Sequence, residues 1–84
     1  MSLSELSLDQ VSVGSAVRLS RIEVQGGMRR RLLDLGFVPG NRVEVIQRSP
    51  LGDPTAFRVS NTTIALRKEE SSLIYAEPEG GDSL

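Results

Sequence analysis

The chain contains no cysteine, no histidine and no tryptophan among its 84 residues, and it has a single lysine. Without cysteine there are no disulfides and no thiolate metal sites, and without histidine the imidazole ligands of zinc, iron and copper centres are missing as well. Any metal site has to be assembled from oxygen ligands. The same absences remove Cys–His and Ser–His–Asp catalysis, the common routes to an activated nucleophile, so a non-enzymatic role is expected. No apolar run approaches the roughly 20 residues of a membrane span, and Met1 to Asp9 lack the basic start and unbroken apolar stretch of a signal peptide. A cytoplasmic protein is expected. Cysteine's absence fits a reducing compartment without establishing one.

What is present suits one small domain: 38% hydrophobic residues in a chain of this length supply one modest core. Net charge is −1, but residues 17–48 carry +4, with Arg18, Arg21, Arg29, Arg30, Arg31, Arg42 and Arg48 against Glu23, Asp34 and Glu44. The two ends are acidic.

Leu6, Leu8, Val11 and Val13 can anchor an opening segment from Ser4, and Gly14-Ser15 marks a turn. From Val17 apolar and polar residues alternate as in a half-buried strand, slipping phase at Ile22. Met28, Leu32 and Leu35 then recur at helical spacing opposite Arg29, Arg30 and Arg31, with Gly36 placed to end the helix. Arg30 and Asp34, spaced i, i+4, can pair. After the Pro39-Gly40-Asn41 turn come a second strand over 42–48, a turn at 51–55, a hairpin of strands 56–59 and 63–67 about Ser60-Asn-Thr, one helical turn at 68–72 and a fifth strand over 73–76. Asn61 tolerates the left-handed conformation that such a turn needs. Residues 1–76 read as the domain and 77–84 as a disordered acidic tail.

Five short strands imply a small all-β barrel. An oligonucleotide-binding barrel carries its helix between strands three and four. Here the helix lies between strands one and two, which favours an SH3-like barrel with a helical insertion.

Three blocks, Arg30-Arg-Leu-Leu-Asp-Leu-Gly-Phe-Val-Pro-Gly, Val43-Glu-Val-Ile-Gln-Arg-Ser-Pro-Leu-Gly-Asp-Pro and Ile64-Ala-Leu-Arg-Lys, resemble the FeoA family in content, order and spacing. The resemblance runs from about Leu6 to Ala76. It implies an SH3-like fold and an accessory role in ferrous-iron transport, beside the membrane transporter FeoB and its cytoplasmic guanine-nucleotide-binding domain. Departures are Phe37 where a smaller aliphatic residue is common, Asn61 where glycine is common, and Ser71-Ser72 in place of an acidic-alanine pair.

Arg29, Arg30 and Arg31 stand at a helix N-terminus, where cations oppose the macrodipole, and are the first candidate contact to an acidic or phosphate-bearing partner. The plain alternative is a solvated helix face; an arginine-finger role is a further one. Phe37 is a candidate apolar contact, its alternative being to plug the barrel. Leu51, between two prolines, has little to bury it within its own loop and is expected to be exposed and to meet a partner. No catalytic, cofactor or metal residues are assigned, because Glu23, Asp34, Glu44 and Asp53 lack the spacing of a cation loop. Competing readings are a nucleic-acid-binding barrel, opposed by a pI near 5.3 and the absence of basic-aromatic interleaving, and a detached domain of a metal-dependent repressor, opposed by the lack of a helix-turn-helix ahead of the barrel. Self-association through an edge strand stays open.

Overall fold

The phase slip at Ile22 is the first key to the fold. The computed structural model describes residues 5–79. In it, strand β2 (Ala16–Ile22) buries Val17 and Leu19, and its register against the C-terminal strand shifts between Leu19 and Arg21, so that Ile22 turns inward too. That β-bulge converts a break in alternation into a bend. Strand β3 (Arg42–Arg48) buries Val43 and Val45 and has a second bulge, between Val45 and Gln47. Two bends in adjacent long strands curve one sheet around one core.

The other elements are β1 (Leu6–Ser7), a 3-10 turn (Leu8–Gln10), α1 (Gly26–Leu35), β4 (Thr55–Val59), β5 (Thr62–Leu66), α2 (Lys68–Ser71) and β6 (Ile74–Pro78). The strands form a single antiparallel sheet in the order β1-β6-β2-β3-β4-β5. Among the described residues six strands stand where five are expected. The added one, β1, pairs Leu6 with Ala76 and Ser7 with Tyr75, and two residues are too few to show an alternation. Leu8, Leu32, Phe37, Val45, Phe57 and Ile74 fill the interior, each essentially without exposure.

Helix α1 ends in a motif that decides the fate of Phe37. Gly36 has φ +112°, its N–H donates to Leu33 O at 3.1 Å, and the Phe37 N–H donates to Leu32 O at 2.9 Å. This Schellman arrangement turns the chain back so that the residue after the glycine packs on the helix's own apolar side. Only glycine suits Gly36, since an added Cβ would also lie 2.7 Å from Ser60 Oγ. The β4–β5 hairpin closes on two residues, Ser60 (φ +51°) and Asn61 (φ +65°), both left-handed as a tight hairpin of this twist requires.

Three expectations are corrected here. The Arg30–Asp34 pair is absent from the ion pairs among the described residues, since both side chains are exposed and such a pair gains only a few tenths of a kcal/mol in water. Met28 does not join Leu32 in the core: it stays 40% exposed, and Leu33 and Leu35 pack against the core beside Leu32. The tail does not begin at Glu77, because β6 runs to Pro78 and the Glu79 carboxylate binds Arg18 at 3.1 Å and Arg42 at 2.6 Å. The remainder of the expected tail, 80–84, and the start of the opening segment lie outside the described residues.

Candidate functional site

The basic middle of the chain is largely consumed internally. Arg18 and Arg42 share Glu79, and Arg42 also approaches Glu44 at 3.8 Å. The hydrogen bond that Arg42 donates to the Glu79 carboxylate holds its guanidinium further toward the charged form. Arg21 pairs with Glu5 at 3.1 Å and with Glu23, and lies 4.1 Å from the centre of the Tyr75 ring. The Glu5 carboxyl is held below its ordinary pKa, first by the hydrogen bond from Ser20 Oγ and then by Arg21. Arg48 donates to Val11 O at 3.1 Å and to Thr55 Oγ1 at 3.2 Å, which makes it a brace between two segments.

The arginine triplet divides. Arg29 donates to Ile22 O at 2.8 Å, tying the first turn of α1 to the last residue of β2. Arg30 and Arg31 are exposed and form no ion pair among the described residues, and the first turn of α1 holds no acid. Arg31 borders a cleft of about 180 Å³ between α1 and β5, with Met28, Leu35, Ile64 and Glu70.

Phe37 is 0% exposed and is therefore part of the core; its assignment to the contact surface is corrected. Leu51 is the opposite case, 94% exposed at the tip of the β3–β4 loop. Its exposure is held in place: Ser49 Oγ accepts from the Leu51 N–H at 3.2 Å and donates to Asp53 O at 2.9 Å, and the Gly52 N–H donates to Ser49 O at 2.7 Å. The loop is fastened to the next element by Asp53 Oδ1, which accepts from the Lys68 N–H at 2.8 Å. Lys68 and Asp53 line a polar cleft beside Leu51's loop, and Glu70, two residues on, lines the α1 cleft with Arg31. The single turn of α2 thus separates Leu51's loop from the free end of the arginine triplet.

Among the described residues no three carboxylates converge on a point that could hold a metal ion, and no helix is long and apolar enough to cross a membrane. Sequence reasoning missed Arg29's carbonyl bond and Glu79's double pairing. Both join residues far apart in the chain, and nothing local announces them.

Comparison with known proteins gives the family. The profile of the FeoA domain matches residues 6–78. A curated relative from Porphyromonas gingivalis, an Fe(2+) transport protein A/Fe(2+) transporter FeoB fusion protein, is 33% identical over 72 residues, which are 86% of this chain and 8% of that protein. The chain therefore spans a small fraction of the length of this relative. The solution structure of iron(II) transport protein A from Clostridium thermocellum is 41% identical, with a TM-score of 0.85 over 90% of this chain and 47% of the other. The FeoA of Stenotrophomonas maltophilia, crystallised with zinc and described as a prokaryotic SH3 domain protein, is 26% identical with a TM-score of 0.74 over 86% of this chain and 89% of its own. With a pattern that runs from the first strand to the last and an SH3-like sheet to match, the chain belongs to the FeoA domain family of ferrous-iron transport.

Proposed function

We propose that this protein is an accessory binding module that docks on the cytoplasmic, guanine-nucleotide-binding part of a FeoB-type ferrous-iron transporter, with Leu51 as apolar anchor and Arg30 and Arg31 as its charged flank. The observation that carries the reading is Leu51, a fully solvated leucine on a loop fixed by its own hydrogen bonds. An exposed apolar side chain costs solvation in the free protein and recovers it in a partner's pocket, and a loop already ordered loses little entropy on docking. The P. gingivalis fusion protein, which joins the two kinds of domain in one polypeptide, supports a FeoB-type partner. Iron itself stays with the transporter, since the chain offers neither imidazole nor thiolate.

Binding to the purified cytoplasmic domain of the cognate transporter, measured with and without guanine nucleotide, tests this. Leu51→Asp is expected to weaken binding by about 30-fold or more, as for an interface hot spot. Arg30→Ala with Arg31→Ala is expected to weaken it and to reduce its salt dependence. Unchanged affinity in both variants would sink the proposal.

A further inference from the structure

The edge strand β5 lacks the devices that usually block an edge. It reads Thr62-Thr-Ile-Ala-Leu, with no charge and no proline, and the register shows no bulge against β4. The direction of its backbone groups follows from its neighbours. Val45 bonds away from β4, since its N–H donates to Ser15 O and its carbonyl accepts from the Gly14 N–H. Glu44 and the opposing Arg58 therefore bond each other, Phe57 and Val59 bond toward β5, and their partners Ile64 and Thr62 bond back. The two-residue turn between Val59 and Thr62 requires the same phase. Thr63 and Ala65 are left with N–H and C=O groups pointing off the sheet edge, and both residues are exposed. The next outward N–H, at Arg67, is already taken by Glu70 Oε1 at 3.0 Å.

Beside this edge lies the cleft bordered by Met28, Arg31, Leu35 and Ile64. Its walls are apolar apart from Arg31 and Glu70, and the Glu70 carboxylate is occupied by the Arg67 N–H. We infer that β5 and α1 form a docking groove for an extended segment of another protein, which adds as a strand on β5, sets alternate apolar side chains into the α1 cleft and brings a carboxylate to Arg31. Strand addition draws its affinity from main-chain hydrogen bonds and its selectivity from pockets for every second side chain, and both features are present here. A second copy of this chain fits less well, because its own β5 carries no carboxylate for Arg31. The groove shares only Arg31 with the docking surface proposed above.

The test uses the full chain and a synthetic ten-residue peptide of alternating valine and threonine with two glutamates at each end. Nuclear magnetic resonance titration is expected to shift the Thr63 and Ala65 amides and the Met28 methyl, and amide exchange at Thr63 and Ala65 is expected to slow on binding. Ala65→Pro removes an N–H that makes no bond in the free protein, which an edge strand tolerates, and is expected to weaken the peptide by about tenfold or more. Arg31→Glu is expected to weaken it too, whereas Leu51→Asp leaves it unchanged. No binding at millimolar peptide, or binding with no change in exchange at Thr63 and Ala65, overturns the groove, as does peptide affinity that survives in folded Ala65→Pro. Protection of those two amides in the free protein that grows with its concentration assigns the edge to a second copy and overturns it as well. Loss of transporter-domain binding in Leu51→Asp together with no peptide binding separates a failed groove from a sound docking proposal.

Discussion

At the scale of single residues, two exposed-looking apolar side chains in adjacent turns have opposite roles. Phe37 and Leu51 both follow or precede glycine in loop sequence, and either can serve as a contact by composition alone. The Schellman turn drives Phe37 into the core, and the Ser49 hydrogen bonds hold Leu51 out of it. Phe37→Ala is accordingly expected to cost about 3–5 kcal/mol of stability, while Leu51→Ala stays within about 0.5 kcal/mol. Urea denaturation of both variants checks the contrast, and similar midpoints would contradict it. Leu51's exposure was legible because prolines on both sides leave its loop nothing to fold over it. Phe37's burial was not, because it depends on where the chain goes after Gly36.

At the scale of elements, α1 shows how a short helix is placed with little burial of its own. Only Leu32 is wholly buried on it, and its N-terminus has neither a side-chain cap nor an acid in the first turn. Arg29, in that first turn, anchors the helix instead by donating to the Ile22 carbonyl at the end of β2. Arg29→Ala is expected to destabilise the protein by about 1 kcal/mol and to speed amide exchange in α1, whereas Arg30→Ala changes neither, because Arg30 pairs with nothing described. Equal effects of the two substitutions would mean that the carbonyl bond contributes nothing. The positions of the five longer strands and of the helix between the first two long ones were readable from periodicity and turn residues. The division of labour within the arginine triplet was not, since adjacent identical residues differ only in what lies opposite them.

At the scale of the whole molecule, the ends of the described chain are fastened to the basic middle. Glu79 binds Arg18 and Arg42, and Glu5 binds Arg21 and Ser20. The Glu5 carboxyl titrates below its ordinary value of 4.5, mainly because Ser20 and then Arg21 favour its charged form. Its contribution to stability is therefore complete above that value and is lost as pH falls through the lower pKa of the folded state. Glu5→Gln is expected to lower stability at neutral pH and to leave less difference from the parent as the solution is acidified below 4.5. Denaturation midpoints across this range test it; a gap that widens on acidification would contradict the pairing.

Local pattern along the chain is enough to assign the fold class. Alternation, turn residues and helical spacing are local quantities, so they marked every strand but the two-residue β1, the helical insertion and even the phase slip that became a bulge in β2. The lack of histidine and cysteine likewise settled which metal ligands are available. Which charges are spent, which apolar side chains are buried and which backbone groups remain unbonded follow from contacts between distant segments. Those outcomes depend on pairings between segments as distant as Arg18 and Glu79, and on which strand lies at the edge of the sheet. A one-dimensional pattern carries a residue's own preference, whereas burial and hydrogen bonding belong to the pair, and the pair exists only once the sheet has formed.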